Sequence, residues 1–139
     1  MTAPATDAVT RCVEGLLRFL ETSGREFPDD LFDDDVFLDF TSPTWRLQAR
    51  GVDGIVGLRM GGHPWPGRVP RSRVDRTATG FVIEVEETWE AGGDTWYCRE
   101  LMRADVTDGS ISEISIYCTG DWDSARVAEH AAAETLIRP

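Results

Sequence analysis

Apolar and polar residues follow two different periods along the chain. Near the start, the apolar residues recur every three or four positions, as on one face of an α-helix: Val9, Val13, Leu16, Leu17 and Leu20. This spacing predicts a helix from Thr6 to about Thr22. Thr6 or Asp7 can cap its N-terminus, and Gly24 lies just beyond its end.

Further along, alternating apolar and polar residues predict six strands, of which the first two are short. The predicted strands are Val36 to Phe40, the segment "TWRLQARG", Val69 to Ala78, Phe81 to Glu90, Thr95 to Val106, and Ile111 to Cys118. After the second strand, "VDGIVGLRM" predicts a short helix, and the glycine- and proline-rich "GGHPWPGR" predicts a loop. An alanine-rich stretch from about Asp121 to Leu136 predicts a last helix capped by Asp121.

Helices followed by an antiparallel meander indicate an α+β fold. We expect a cone-shaped, curved sheet of mixed or antiparallel strands, wrapped around the N-terminal helices and open at one end. The last helix is an addition at the C-terminal side of this unit. A chain of 139 residues has the usual size of one domain, so we predict a single domain over residues 1–139.

The amino-acid composition restricts the possible classes of function more than it restricts the fold. The net charge of −11 argues against a nucleic-acid partner, because phosphates would be repelled. No apolar run approaches the roughly 20 residues of a membrane-spanning helix, and the N-terminus lacks the pattern of a secretory signal. Cys12, Cys98 and Cys118 have no metal or redox spacing, which predicts reduced thiols in a cytoplasmic protein. His63 and His130 are far apart, so no zinc site, and no other metal or cofactor, is predicted.

A carboxylate interrupts an otherwise apolar strand face. In "TWYCRELMRADV", every second residue from Trp96 to Val106 is apolar or small, except Glu100. Glu87 interrupts the apolar face of the preceding strand in the same way, and Asp39 shares a face with an aromatic residue in the first strand. Burial removes water from the charged form, which raises the pKa of a carboxyl and lets it exchange protons near neutral pH.

Both acids also have structural interpretations. Glu100 can pair with an arginine across the sheet, for example Arg73, as a buried ion pair. Asp39 can cap a turn toward "TSPT", because aspartate favours such local hydrogen bonds.

The order of elements resembles the nuclear-transport-factor-2-like fold, particularly its SnoaL-like and ketosteroid-isomerase-like members. The resemblance covers most of the chain, from "LLRFLETSGREFPDDLFDDDVFLDF" through "GVDGIVGLR" to "ELMRADVTDGSISEISIYC". It implies that Asp39 is the general base and that Glu100, followed by "LMR", donates a hydrogen bond to a developing oxyanion. It further implies that both acids point into the cone and that the protein is a homodimer.

The chain also departs from that pattern. The first helix, "CVEGLLRFL", lacks the tyrosine that the isomerases use as their main oxyanion donor. Limonene-epoxide-hydrolase-like members carry Arg-x-Asp on the strand that holds Glu100, where this chain has Glu100, Leu101 and Met102. The segments "RVD" and "RAD" lie one strand earlier and on the opposite face, respectively.

Further residues complete the candidate site. His63, in the glycine-rich loop, is a candidate proton relay, because its ordinary pKa is near neutrality; the alternative is a surface histidine. Tyr117 falls on the face opposite Ile114 and Ile116, where it can contact solvent or a partner subunit. We predict that the substrate contacts the following side chains: Trp45, Trp65, Phe37, Trp96, Met102, Tyr117 and Glu87.

These features predict a cofactor-free isomerase or cyclase that uses acid–base catalysis. Its substrate is predicted to be a small, mostly apolar carbonyl compound of polyketide or terpenoid type, held in a deep conical pocket. The alternative is a non-catalytic module of the same fold that binds a small ligand or forms a dimeric interaction domain. An epoxide hydrolase of the limonene-epoxide-hydrolase type is a lesser alternative.

Overall fold

The computed structural model describes residues 7–139 and contains three helices and six strands. The helices are α1 (Ala8–Glu21), α2 (Val52–Gly62) and α3 (Ser124–Ala133). The strands are β1 (Phe32–Thr41), β2 (Arg46–Arg50), β3 (Gly67–Arg76), β4 (Gly80–Ala91), β5 (Asp94–Thr107) and β6 (Ser110–Cys118). The α+β fold class predicted from the sequence is therefore confirmed.

All six strands form one mixed sheet in the order β2-β1-β6-β5-β4-β3. The strands β3 to β6 form the antiparallel meander, and β1 joins β6 in parallel. Irregular register interrupts three of the pairings, including the one between β1 and β6. Such bulges increase local bending and twist, which suits a sheet that curls without closing.

The core lies between α1 and one face of the curled sheet. The buried face of α1 is formed by Cys12, Leu16, Phe19 and Leu20. It packs with inward-facing residues of the central strands, of which Phe81, Ile83 and Met102 are completely buried. Large apolar side chains thus fill one end of the cone and leave the other end to α2 and the loops.

The ends of the elements refine the sequence predictions. Asp7 caps α1 by accepting a hydrogen bond from the backbone N–H of Thr10 at 3.0 Å; Thr6, the other predicted cap, lies outside the described residues. β1 begins at Phe32, four residues before the predicted start. Its first part was missed because its acidic residues are mostly solvent-exposed and follow no alternating pattern.

The predicted cap of the last helix is wrong. Asp123, and not Asp121, accepts the hydrogen bond from the backbone N–H of Arg126, at 2.8 Å. The helix ends at Ala133, three residues before the predicted end, and none of its residues is buried. Asp121 instead takes part in the cavity described below. Within residues 7–139, no helix is both long and apolar enough to cross a lipid bilayer.

Candidate active site

A cavity of about 690 Å³ lies between the helices and the inner face of the sheet. Most of its wall is apolar and comes from α1, α2, β1 and β6, including Leu16, Phe19, Leu38, Phe40, Ile55, Ile114 and Ile116. Its polar side chains are few: Arg59, His63, Glu87, Glu100 and Asp121, together with Ser42, Thr44 and two cysteines. An apolar hollow with a few convergent polar groups is the usual form of a small-molecule site.

Glu100 is buried in the wall of this cavity. It lies in the middle of β5, between β4 and β6, and only 6% of its surface is exposed. Its neighbours on the same face, Cys98 and Met102, are buried too. The alternating pattern that drew attention to Glu100 therefore does mark the inner face of the sheet. Glu100 does not pair with Arg73, whose exposed side chain contacts Asp75 instead.

Glu87 lies beside Glu100 and forms an ion pair with Arg59 of α2. The guanidinium donates two hydrogen bonds to the carboxylate, Nη2 to Oε1 at 2.5 Å and Nη1 to Oε2 at 3.2 Å. Nη2 also donates to the backbone oxygen of Leu20 at 3.0 Å. Arg59 Nε is buried and has no hydrogen-bond partner within residues 7–139, so one N–H donor of the guanidinium is unused by these residues. This pair fixes a negative charge next to Glu100.

The environment moves the pKa values of the two glutamates apart. Burial, the charge of Glu87 and a hydrogen bond between the two carboxyls raise the pKa of Glu100 well above its ordinary value. Burial alone would also raise the pKa of Glu87, but the hydrogen bond from Glu100 and the charge of Arg59 lower it. The environment therefore favours the protonated form of Glu100 and the ionised form of Glu87. Neighbouring groups with opposed pKa shifts are the usual basis of acid and base roles.

His63 lies in the cavity wall next to two tryptophans. Its ring centroid is 4.2 Å from that of Trp89 and 6.0 Å from that of Trp65. Desolvation and the charge of Arg59 lower the pKa of His63 to about 4, so its imidazole is neutral at physiological pH. Ser23 holds this loop by donating its hydroxyl to the backbone oxygen of His63.

A sulfur-rich cluster forms where β5 and β6 end. Cys98 Sγ lies 3.6 Å from Glu100 Oε1 and within 4.8 Å of the Cys118 sulfur. The backbone N–H of Gly120 donates to Cys118 Sγ at 3.4 Å. Asp121 stands beside the two sulfurs with its side chain reaching solvent, and partial enclosure together with the charge of Glu87 raises its pKa.

Two overlapping groups of side chains in this region bring potential metal ligands within 4.8 Å of one another: Cys98, Cys118 and Asp121, and Glu87, Cys98 and Glu100. Both groups depend on Cys98. The neighbouring Cys118 thiol, burial and the charge of Glu100 raise the pKa of the Cys98 thiol. Binding of a metal ion by either group would require this thiol to release its proton.

The structure corrects the prediction that Asp39 shares the cavity with Glu100. Asp39 lies on the outer face of the sheet, where Arg46 donates to it from Nε at 3.1 Å and from Nη2 at 2.7 Å. The hydrogen bond from Arg46 keeps the pKa of Asp39 below its ordinary value. The neighbours of Asp39 in β1, Leu38 and Phe40, are the ones that line the cavity. Asp39 does not cap the following turn either, because its carboxylate is held by the next strand.

The predicted substrate-contacting residues divide into two sets. Trp45 lines the cavity mouth with 69% of its surface exposed, and Glu87 lines the interior. The other five do not line the cavity. Trp65 is exposed, Phe37 contacts Arg50 on the outer face, Trp96 donates its indole N–H to Ala91, and Met102 is buried in the core. Tyr117, 56% exposed, lies on the outer face as its position in the alternating pattern indicated.

Sequence reasoning missed Arg59 and gave Cys118 and Asp121 other roles. Arg59 follows an apolar stretch in α2 and gives no local sign that it will be buried. The signal that could have found it is Glu87, because a buried carboxylate requires a cation nearby.

Comparison with known proteins supports the fold. No protein-family model matches the chain, and no curated protein matches its sequence. A nuclear-transport-factor-2-like protein from Anabaena variabilis matches with a TM-score of 0.68 and 17% identity, over 87% of this chain and 96% of that one. A candidate isomerase from Rhodopseudomonas palustris matches with a TM-score of 0.63 and 12% identity, over 94% and 100% of the two chains.

A third similar structure is a protein of ketosteroid-isomerase-like fold from Catenulispora acidiphila, in complex with trimethylamine. It has a TM-score of 0.61 and 13% identity, over 90% of this chain and 97% of that one. At such identities the likeness concerns the fold alone. The chain has the nuclear-transport-factor-2-like fold, as its resemblance in sequence implied.

Proposed function

We propose that this protein is a cofactor-free acid–base enzyme that enolises a small, mostly apolar carbonyl compound, as in an isomerisation or a cyclisation. One observation carries the proposal: two buried glutamates, Glu100 and Glu87, have carboxyl oxygens within 4.8 Å of each other in the wall of an apolar cavity, and only Glu87 is paired with Arg59. The likeness to the candidate isomerase and to the ketosteroid-isomerase-like fold agrees with this function.

The two glutamates take complementary roles in this proposal. Glu87, ionised through Arg59, removes a proton from the carbon next to the carbonyl group. Glu100 turns its single proton from Glu87 to the carbonyl oxygen and donates it there as a hydrogen bond while negative charge develops. A donor that is already in place, in a site that excludes water, stabilises such an oxyanion strongly. Returning the proton to another carbon completes an isomerisation, and attack of the enolate on a second carbonyl completes a cyclisation.

Glu87 replaces Asp39 as the proposed base because of its position. Asp39 lies outside the cavity and is engaged by Arg46, whereas Glu87 borders the cavity beside Glu100. His63 is neutral and close to Glu87, and it serves in this proposal as a secondary relay. The substrate class follows from the volume and the apolar walls of the cavity, which suit a compact polyketide- or terpenoid-like molecule.

The experiment follows proton removal directly. Cyclohexanone is incubated with the protein in D₂O, and deuterium incorporation at its α-carbons is measured by NMR. Wild-type protein should accelerate this exchange, and Glu100→Gln should lower the acceleration by roughly 100-fold, the usual loss for one oxyanion donor. Glu113→Gln, on an exposed position of β6, is the matched control and should exchange like wild type. Equal exchange by wild type and Glu100→Gln would overturn the proposal.

One observation favours the non-catalytic alternative, a module that binds a small ligand. Arg59 holds Glu87 in a bidentate pair, which weakens it as a base. In that case, apolar ketones bind and stabilise the protein while deuterium exchange stays at the rate of buffer. The epoxide-hydrolase alternative gains no such support, because Arg103 and Asp105 pair with each other, with the arginine exposed.

We further propose that the protein acts as a cytoplasmic homodimer. All three cysteines are free thiols, which suits a reducing compartment. The outer face of the sheet exposes Leu101 and Tyr117, which are register partners and together offer an apolar surface to a second copy. Sedimentation analysis of the purified protein tests this proposal, and a monomer at micromolar concentration would contradict it.

A further inference from the structure

Cys118 is a cysteine with access to the cavity. It is the last residue of β6, it lines the cavity, and it is only partly buried. Cys98 and Cys12, by contrast, are 2% exposed. Cys12 lies on α1, is within hydrogen-bond distance of the backbone oxygen of Gly109 and does not border this cavity. Of the two thiols that border the cavity, Cys118 is the more exposed one.

A backbone donor faces the sulfur of Cys118. The chain turns sharply at Gly120, whose φ of 88° is a left-handed conformation that favours glycine. This turn places the Gly120 N–H 3.4 Å from Cys118 Sγ. On the adjacent strand, the Cys98 sulfur lies within 4.8 Å of the same sulfur and donates its own hydrogen bond to Glu100 Oε1. The contact from the Gly120 N–H stabilises a thiolate, which is the nucleophilic form of cysteine.

The groups around Cys118 shift its pKa in both directions. The neighbouring Cys98 side chain lowers the pKa of Cys118, desolvation raises it, and the Gly120 N–H lowers it. The negative charges of Asp121 and Glu87 raise it, but the net effect is a pKa below the ordinary cysteine value. This direction agrees with the contact from the Gly120 N–H.

A proton donor lies directly across the sheet from this nucleophile. Glu100 of β5 is the register partner of Cys118 of β6, so both side chains project from the same face into the cavity. Residues paired in this way have Cβ atoms about 5 Å apart. This spacing lets an acid and a nucleophile contact two positions of one bound molecule.

We propose that Cys118 adds covalently to the β-carbon of an α,β-unsaturated carbonyl compound bound in the cavity, with Glu100 as the acid that protonates the carbonyl oxygen. This inference rests on the proposed carbonyl-binding function and specifies its substrate class as enones. It also gives the cavity a nucleophile in addition to its acid–base pair.

The step balances in atoms and electrons. The Cys118 thiol loses its proton to solvent at the cavity mouth, and the sulfur lone pair forms a C–S bond to the β-carbon. The carbon–carbon π pair moves to the bond between the α-carbon and the carbonyl carbon, while the carbonyl π pair takes the proton of Glu100. The resulting enol returns this proton to Glu100 as its α-carbon gains a proton from water. The product is a saturated thioether ketone, and no oxidant or reductant is consumed.

The test is covalent labelling by cyclohexenone. The native protein is incubated with this enone at neutral pH and analysed by intact mass spectrometry and peptide mapping. We expect one added enone, located on Cys118, at a rate at least about tenfold above that of a free cysteine derivative, since acid catalysis adds to thiolate formation. Cys118→Ser should lose the adduct. Cys12→Ser, the matched control at a thiol outside the cavity, should keep it.

A second reagent separates acid catalysis from simple exposure of the thiol. Iodoacetamide alkylates a thiolate by displacement of iodide and needs no proton on a carbonyl oxygen. Glu100→Gln should slow the enone reaction about tenfold or more and leave alkylation by iodoacetamide unchanged. If both reactions slow equally, Glu100 only maintains the local structure and the proposed acid role is wrong.

The outcomes also distinguish this inference from the proposed function. An adduct on another cysteine, or a rate no higher than that of the free cysteine derivative, overturns the inference. Cyclohexanone has no electrophilic β-carbon, so its deuterium exchange proceeds without Cys118. If deuterium exchange is catalysed but the enone does not label the protein, only the proposed covalent step is wrong. If the enone labels the protein but exchange is not catalysed, the proposed enolisation by Glu87 is wrong and the reactive thiol stands.

Discussion

At the scale of single residues, the chemistry of this protein depends on what surrounds each carboxyl. Glu87, Glu100 and Asp39 have the same functional group but three different states. Asp39 is ionised by Arg46 on the outer face, Glu87 is ionised by Arg59 in the cavity, and Glu100 has no such cation of its own. Only the last of these environments favours the protonated form of the carboxyl over the charged one.

The raised pKa of Glu100 has a consequence for stability. In the unfolded chain a glutamate loses its proton above about pH 4.3, whereas folded Glu100 keeps it. The folded state then binds more protons, so the free energy of unfolding falls as the pH rises from that value toward the folded pKa. We expect Glu100→Gln to remove this decline, whose slope is at most about 1.4 kcal/mol per pH unit.

Urea unfolding of both proteins between pH 4 and pH 8 measures this difference. The variant should gain stability relative to wild type as the pH rises. Glu87, with its lowered pKa, acts in the opposite sense and only at acid pH, where protonation removes its contribution. A constant difference between the two proteins would show that Glu100 titrates normally.

The ion pair between Arg59 and Glu87 predicts that the free energy of unfolding depends strongly on Arg59 as long as Glu87 is present. Arg59→Met leaves Glu87 buried without its cation and should lower the free energy of unfolding by about 3 kcal/mol or more. The double variant Arg59→Met/Glu87→Leu should recover most of this loss, because it removes both charges. Arg18→Ala, which breaks the exposed pair with Glu26, is the control and should cost less than about 1 kcal/mol. Denaturant titrations of the four proteins measure these changes, and a loss in Arg59→Met as small as the control would contradict the prediction.

At the scale of secondary-structure elements, the distance between neighbouring backbones determines which residue types fit at some positions, regardless of side-chain chemistry. Gly80 begins β4 next to β5, and a Cβ atom at this position would lie 2.1 Å from the backbone oxygen of Ala104. A real side chain cannot approach that closely, so β4 and β5 would have to separate locally. Gly57, on α2, has no atom within 4 Å of the equivalent position.

These two glycines predict opposite effects of the same substitution. Gly80→Ala should lower the free energy of unfolding by about 1–3 kcal/mol, the usual cost of forcing extra atoms into a packed site. Gly57→Ala should raise it by about 0.5–1 kcal/mol, because alanine favours the helix and meets no neighbour. Thermal and urea unfolding of both variants provide the test. A loss of stability in Gly57→Ala would mean that α2 requires flexibility at this position.

At the scale of the whole molecule, the net charge of −11 opposes the compact state. The ion pairs whose two partners are both exposed contribute little, whereas the repulsion acts over the whole surface. We therefore expect the free energy of unfolding to increase by about 1 kcal/mol when salt rises from about 0.01 M to about 0.5 M, because the screening length shortens from about 30 Å to a few Å. Urea unfolding at the two salt concentrations measures this change. A decrease would show that the exposed pairs outweigh the repulsion.

Local patterns were sufficient for most elements of the fold. Periodic apolar residues located α1 and the four long strands within about two residues, and the alternation around Glu100 marked a buried face correctly. They failed at the start of β1, where neighbouring acidic residues hide the strand, and at α3, where two nearby aspartates offered equivalent caps. At both places, the boundary of the element falls at a residue that the local pattern of apolar and polar positions does not distinguish.

The candidate active site shows the same contrast between what local patterns determine and what the tertiary structure determines. Sequence alone determined that the chain alternates between a buried and an exposed face, because side chains of a strand point to opposite sides with a period of two. It did not determine which face of β1 is the inner one, since Phe37 lies on one face and Leu38 and Phe40 on the other. Only the tertiary structure turned Asp39 outward and brought Arg59 and Glu87, 28 positions apart, to Glu100. The physical reason is that periodicity is a property of neighbouring residues, whereas the pKa of a buried acid depends on charges delivered by distant parts of the chain.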